Sequence, residues 1–283
     1  MSVVSSVREA RAVLLAVDPG VAAQVVRSWG PVEALERVGR DPVHGAQVVG
    51  LSAGEILEAG AAVGAVLLTP EDEGWPAGLD GLVPVPVGVW VRGPVGLLVG
   101  GPVTVTGSRA CTRYGESVTA ELGLGLAEAG VTVCTGGGFG IDAAATRGAL
   151  AGGGPVVLVG AAGVDLVYPT AHTEVVARVL DEGGVLVTAT SPGLPPSRAR
   201  FTARNRVMAA LSRAVVVVEA AAHSGVRDVA HTATMLGVPV GAVPGPITSV
   251  TSAGCHQLLS AGAHLITCLR DVLAMTGQVP DRG

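Results

Sequence analysis

Residues Val131 to Leu150 read VTVCTGGGFGIDAAATRGAL, and their reading decides the fold. Val131-Thr132-Val133 is a β-branched run that predicts a buried strand. Gly136, Gly137 and Gly138 follow, and Gly140-Ile141-Asp142 then leads into an alanine-rich helical pattern. A strand that ends in glycines and restarts as a helix aims backbone N–H groups outward at the helix start. Such a turn can hold a phosphate or another anion. The same residues also fit a tight strand-to-helix turn that uses glycine for its backbone angles alone. The stretch by itself leaves both readings open.

Working outward, the same rhythm repeats. Apolar runs predict strands at Val103–Thr106, Val131–Thr135, Val156–Val159, Val185–Thr188, Ala214–Glu219 and Val238–Ala242. Helical patterns fill the gaps at Gly115–Glu128, Asp142–Ala151, Ala171–Leu180, Thr202–Leu211 and Val226–Leu236. Apolar strands alternating with helices imply an α/β fold with a parallel sheet covered on both faces. Ligands of such sheets bind where the loops gather, at the carboxyl ends of the strands.

Upstream, residues 1–65 read as a small helical domain and 66–283 as the α/β domain. Helices are predicted at Ser5–Val17, Val21–Trp29 and Val32–Val38, broken at Asp18-Pro19-Gly20 and Gly30-Pro31. Arg8, Arg11, Arg27, Arg37 and Arg40 are scattered among acidic residues, so no basic face forms and ordinary helix packing is expected. Gly50-Leu51-Ser52-Ala53-Gly54 matches the nucleophile-elbow pattern of hydrolases, but that motif needs a strand before it and a histidine partner. Ser52 instead stands three residues before Glu55 ahead of an apolar helical run, which is a capping box. The proline- and glycine-rich stretch 66–101 leads into the main domain, with a loosely alternating strand at Val85–Val91 and with Trp75 and Trp90 as packing anchors.

Composition removes several classes of function. The 283 residues are 49% hydrophobic and 14% charged, which excludes a disordered chain. A net charge of −5 argues against a general nucleic-acid coat but leaves room for a local basic patch. There is no lysine, which removes Schiff-base chemistry and the P-loop lysine. Apolar stretches are broken by glycine and proline, so no membrane span is expected. No basic segment followed by an apolar signal core opens the chain, so a cytoplasmic protein is expected. Cys111, Cys134, Cys255 and Cys268 match no zinc spacing and are expected as buried or free thiols.

The loops at the expected ligand edge carry the candidate site. Gly107-Ser108-Arg109 follows the first strand of the main domain, and the glycine turn with Gly140 and Asp142 follows the second. Arg198, Arg200, Arg204 and Arg206 lead into a later helix together with Phe201 and Asn205, the only asparagine. Glu219, Ser224 and Gly225 follow the strand Ala214–Glu219. Five arginines, counting Arg109, would then meet at one edge of an acidic protein, a composition suited to phosphate because guanidinium pairs with it bidentately. Asp142 also fits a helix cap, and Asn205 a cap or a partner for backbone groups. The dinucleotide fingerprint fails because Ile141 stands at the third glycine position. His223, Asp228 and His231 form a weak metal candidate without fixed spacing.

The sequence resembles the DprA/Smf family of DNA-processing proteins. The resemblance is carried by TGSR at Thr106–Arg109, TGGGFGIDAAATRGAL at Thr135–Leu150 and VDLVYP at Val164–Pro169. It continues through FTARNRVMAALS at Phe201–Ser212, VVVVEAAAHSG at Val215–Gly225 and VPGPITSVTSAGCHQLL at Val243–Leu259. It implies an extended Rossmann-like domain that binds single-stranded DNA, commonly dimerises, and hands the strand to the RecA recombinase in natural transformation. It implies no catalysed reaction; no cofactor and no metal are expected. Carried over by position, Arg109, Phe201, Arg204, Asn205 and Arg206 would form the DNA pocket, the ring stacking on a base and the arginines holding phosphate. Gly107, Ser108, Gly136, Gly137, Gly138 and Gly140 would form the anion turn, with Asp142, Glu219, Ser224 and Gly225 as caps or supports. The chain departs from the family pattern at Thr202-Ala203, at Ala189-Thr190-Ser191 and at Ser224-Gly225-Val226. A Rossmann-like nucleotide sensor is the competing reading. An N-glycoside-cleaving enzyme ranks below it, because the PGGxGT-x-x-E pattern of such enzymes does not occur.

Overall fold

The computed structural model describes residues 6–277. Ser5 of the first predicted helix and the outer ends of both proposed domains lie outside the described residues. The chain begins with helices α1 (Val7–Leu14), α2 (Pro19–Trp29), α3 (Pro31–Arg40) and α4 (Ala53–Ala62). Each starts where local chemistry favours it: Ser6 caps α1 in a capping box with Glu9, Asp18 caps α2 ahead of Pro19, and Pro31 opens α3. Ser52 is the N-cap of α4 and accepts the Glu55 amide at 3.4 Å, which fits the cap and not a nucleophile. Ser52→Ala is expected to cost about 0.5–2 kcal/mol in urea unfolding and to leave ligand binding unchanged. Stoichiometric labelling of Ser52 by a serine-reactive probe would contradict this reading.

Next come β1 (Ala65–Leu68), β2 (Val89–Arg92), the short α5 (Gly96–Val99), β3 (Val103–Thr106), α6 (Arg113–Glu128), β4 (Val133–Thr135), α7 (Ile141–Ala151) and β5 (Val156–Gly160). The chain continues with α8 (Thr173–Asp181), β6 (Val185–Thr188), α9 (Arg198–Leu211), β7 (Ala214–Val217), α10 (Val226–Met235), β8 (Val240–Ala242), α11 (Ala253–Ser260), β9 (His264–Leu265) and α12 (Leu269–Met275). All nine strands form one sheet in the order β1-β2-β6-β5-β4-β3-β7-β8-β9. The strands from β6 to β9 are parallel, as the alternating pattern predicts, and β3 through β7 are buried along their lengths except at Gly160, the last residue of β5. The edge formed by β2 and β1 is antiparallel, which the sequence reading does not contain. β1 and β9 are also additions to it, each too short to display a pattern of its own.

Two buried apolar clusters cover the sheet, and the apolar residues of α1 to α4 join one of them. Arg11, buried, donates to the Val87 carbonyl and to Glu71, both at 2.6 Å. Ser191 donates its hydroxyl to Ala12 O and its amide to Leu15 O. These bonds tie the helical segment to the sheet. Trp75 and Trp90 are buried anchors, and the Trp75 indole donates to Asp80 at 2.9 Å. All four cysteines are free thiols, and burial pushes Cys134 up to about 12, so it stays protonated.

Candidate functional site

The strand order reverses between β3 and β7, which pair directly and in parallel. Strands β4, β5 and β6 lie to one side of β3, while β7 and β8 lie to the other. Ligands of open α/β sheets bind outside the carboxyl ends at such a reversal. Here a cleft of about 60 Å³ opens beside it. Arg109 reaches the cleft from the loop after β3, Gly136, Gly138 and Phe139 from the turn after β4, and Tyr168 and Pro169 from the loop after β5. Helix α9 supplies Phe201 and Arg204.

Arg204 is the central charge. It is 8% exposed, and its nearest carboxylate oxygen, Asp142 Oδ2, stands 4.0 Å from Nη1. Its Nε is buried without a hydrogen-bond partner. Burial holds the guanidinium below the usual arginine range; Asp142 opposes that shift and Arg109 adds to it by repulsion. A buried cation without a bonded counter-ion is costly unless something else completes it. Arg109 is exposed, and its guanidinium carbon lies 5.0 Å from the Phe201 ring centre; that of Arg204 lies 5.6 Å away. Two positive groups therefore flank one ring at the mouth of one cleft.

The glycine turn makes room for this arrangement. A Cβ on Gly136 would fall inside the Arg204 guanidinium, so only glycine lets the side chain cross the turn. Gly137 donates its N–H to Thr135 Oγ1 and Gly138 to Asp142 Oδ2, both at 3.2 Å. These two amides are thus spent within the protein, and the two guanidiniums add positive charge beside the turn. Asp142 is not the cap of α7. Gly140 holds that position, with φ 69° and ψ −121°, and one residue of helix precedes Asp142. The Asp142 carboxylate instead accepts from Thr106 Oγ1 at 2.9 Å and from Gly138 N, joining the ends of β3 and β4. Gly107 and Ser108 belong to the same joint: the Ser108 amide donates to Glu219 O, and Ser108 O accepts from Ile141.

The other candidates have supporting positions. Glu219, 3% exposed, accepts from Thr112 N, Thr112 Oγ1 and Thr251 Oγ1, and so holds the start of α6. Asn205 donates from Nδ2 to Gly225 O at 3.2 Å, fixing the loop before α10 rather than facing the cleft. Gly225 precedes α10 without a side-chain cap, and the Ser224 hydroxyl is buried without a partner.

The five arginines do not converge. Only Arg109 and Arg204 line the cleft. Arg206 donates to Val83 O, and Arg200 to Pro195 O at 2.7 Å. Arg198 and Arg206 line a different, largely apolar groove of about 490 Å³ between α9, α1, α2 and the segment 82–87. That groove holds neither the glycine turn nor Arg109. The cause is helical phase: α9 begins at Arg198, so positions 198, 202 and 206 share one side while 201 and 204 share another. His223, Asp228 and His231 form no metal-binding group among the described residues. Among these residues no helix is long and apolar enough to cross a membrane.

Three cleft-side residues escaped the sequence reading. Phe139 is 46% and Tyr168 48% exposed, and His172 stands edge-on to Phe139 with ring centres 4.6 Å apart. The available signal was rarity, since the chain holds only two phenylalanines and two tyrosines.

The fold and the cleft together define a Rossmann-like α/β protein with an arginine-lined cleft at the carboxyl edge of its sheet. The chain belongs to the DNA recombination-mediator protein A family, whose model matches residues 66–277. It is 43% identical over 277 residues to a putative DNA processing protein DprA of Mycobacterium tuberculosis, covering 91% of this chain and 71% of that one. To DNA processing protein DprA of Streptococcus pneumoniae it is 36% identical over 203 residues, covering 72% of this chain and 71% of that one. A solved DprA structure from Streptococcus pneumoniae superimposes with a TM-score of 0.74 at 30% identity, over 90% of this chain and 85% of that one. One from Helicobacter pylori, described for its single-stranded DNA binding mode, superimposes with a TM-score of 0.66 at 27% identity, over 74% and 94%.

Proposed function

We propose that this protein binds single-stranded DNA at the cleft, with Arg109 and Arg204 holding backbone phosphate and Phe201 ordering both guanidiniums. The observation that carries this reading is the buried, incompletely paired Arg204 facing a small open cleft beside a second arginine. A phosphate supplies the charge and the acceptors that Asp142 does not. The cleft, at about 60 Å³, is well below the roughly 300–1,000 Å³ of pockets that enclose a small molecule, which favours one group of a longer ligand over a whole free nucleotide. The Helicobacter pylori relative, described with a single-stranded DNA binding mode, supports the same ligand.

Fluorescence anisotropy with a labelled oligonucleotide, its duplex and free mononucleotides as competitors tests the reading. Single strand is expected to bind most tightly, with little dependence on base sequence. Equal affinity for the duplex would overturn it, and displacement by micromolar mononucleotide would favour a nucleotide sensor. By family we further propose that the chain passes the strand to a RecA-type recombinase, acts as a homodimer in the cytoplasm, and catalyses no reaction itself. Asn205, Glu219, Ser224 and Gly225 are support residues in this proposal, and residues 1–65 form a helical domain docked on the DNA-binding domain 66–283. Strand-exchange assays with RecA and sedimentation of the full chain test the first two of these points.

A further inference from the structure

Helix α9 borders two separate openings. Phe201 and Arg204 line the small cleft, whereas Arg198, Thr202 and Arg206 follow one another at a spacing of four along another side, with Ala199 and Ala203 next to them. This second side is one wall of the groove of about 490 Å³. Helix α2 contributes Ala22 and Ala23 to the same groove, and side chains this short on both helices leave the space between them unfilled. Leu14, Leu15, Pro84 and Pro86 add further apolar surface to the lining.

The charges around this groove do not balance. Asp18 is the one carboxylate in the lining, and it is already engaged as the cap of α2, accepting the Gly20 and Val21 amides at 3.0 and 3.3 Å. It also acts on Arg200: burial lowers that guanidinium, and the Asp18 charge opposes the shift. Arg206 lies six residues beyond Arg200, about 9 Å along the helix at 1.5 Å per residue. Its side chain donates to Val83 O and meets no carboxylate among the described residues. One bond leaves most of its five N–H donors unused while fixing its position. Arg198 is exposed, and its guanidinium has no hydrogen bond or ion pair among the described residues.

The backbone beside the groove narrows the choice of occupant. Pro84 and Pro86 have no N–H, and the carbonyls of Val83 and Val87 are taken by Arg206 and Arg11. An extended peptide therefore finds no ladder on which to add a strand. What remains is an apolar trough with one anchored cation, of a volume within the roughly 300–1,000 Å³ of small-molecule pockets.

We propose that this groove is a second ligand site, for a small organic anion with an apolar body: its carboxylate or sulfonate meets Arg206 while its hydrocarbon part lies between α2 and α9. Arg198 adds positive potential at the rim. The site is independent of DNA binding, since no residue lines both the groove and the cleft.

Calorimetric titration of the full chain with naphthaleneacetate and with naphthaleneacetamide tests the assignment, because the two probes share a ring system and differ in charge. One saturable site per chain is expected for the acetate, with the amide about 10-fold weaker, as for loss of a hydrogen bond to a charged group. Arg206→Met should bring the acetate down to the amide and leave the amide unchanged, and Arg206→Lys should recover part of the difference. Arg198→Ala should weaken the acetate about 2- to 5-fold, as for an exposed ion pair. Ala203→Leu should fill the groove and abolish binding of both probes without lowering the melting temperature; Ala199→Leu, one turn earlier, repeats this test should the first variant unfold. A single-stranded oligonucleotide should not displace the acetate, so failure of DNA binding and failure of this site are read separately. Equal affinity for the two probes, or saturation only at millimolar concentration, overturns the inference. So does binding that survives both leucine variants, or displacement by the oligonucleotide. A dimer that Ala203→Leu splits in sedimentation would show the groove to be closed by a second copy and would overturn it too.

Discussion

Arg204→Met is expected to weaken single-stranded DNA binding about 10- to 150-fold, corresponding to about 1.5–3 kcal/mol for hydrogen bonds to a charged group, while leaving a folded protein. The log–log salt dependence should flatten by about 0.7, the value for one phosphate contact on a single strand. Methionine keeps the volume of the stem but removes the buried charge. The stability of the variant then decides what Arg204 is for. Its contact with Asp142 is 4.0 Å long, its Nε is unpartnered, and Asp142 retains the Thr106 and Gly138 bonds without it. Replacing such a loosely paired buried ion by an apolar side chain is often neutral or stabilising, so the melting temperature should stay within a few degrees or rise. Were Arg204 instead a structural ion pair, breaking it would cost about 3–5 kcal/mol. Affinity would then track the loss of folded protein. Arg109→Ala is the companion: being exposed, it should flatten the salt slope by a similar amount with no stability change beyond about 0.5 kcal/mol. An unchanged slope in both variants would remove the arginines from the DNA site.

Gly140→Ala should produce the largest loss of stability of any single methyl addition at the site. Gly140 adopts φ 69° and ψ −121°, a combination outside the ordinary regions of L-residues, which costs about 1–3 kcal/mol. A Cβ there would also overlap the carbonyl oxygens of both Ser108 and Arg109, which are backbone and cannot swing away. Overpacking adds about 1–3 kcal/mol, so a total of roughly 2–6 kcal/mol is expected. At about 2–4 °C per kcal/mol for a chain of this size class, calorimetry should show a fall on the order of 10 °C. Gly136→Ala is the informative contrast. Its Cβ meets the far end of the Arg204 side chain, so binding should suffer more than folding. A Gly140→Ala protein as stable as wild type would mean that the loop after β3 is free to retreat from the turn.

These two experiments address different layers of one device. Asp142 and Thr106 hold the ends of β3 and β4 together, Gly136 opens a passage above them, and Arg204 passes through it to meet Arg109 over Phe201. The turn after β4 thus serves less as a source of free amides than as a gap through which a neighbouring helix delivers charge. In the proposed mode of binding, the attraction to phosphate comes from a guanidinium that the fold keeps partly dehydrated, where that attraction is screened least.

The sequence alone determined the alternation of strands and helices, because each element's period is a local property of its own side chains. The parallel part of the sheet, the cap at Ser52 and the glycine turn were legible for that reason, as was the family through motifs whose order survives in the chain. The antiparallel edge was not legible: β1 and β2 are four residues each, and their partners are fixed by register across the sheet rather than by pattern. Tertiary structure decided the site as well. Helical phase separates Phe201 and Arg204 from Arg198 and Arg206, at about 100° per residue, but which stripe faces the glycine turn depends on how α9 docks. Asp142 stands where a helix cap is expected, yet its carboxylate bonds to Thr106 because parallel pairing brings β3 beside β4. Phe139 and Tyr168 lie on loops and His172 ends a single 3-10 turn ahead of α8, none with a period of its own, and only the closure of the sheet gathers them. Local pattern fixes which elements form; contacts between residues distant in the chain fix which side chains share a cleft.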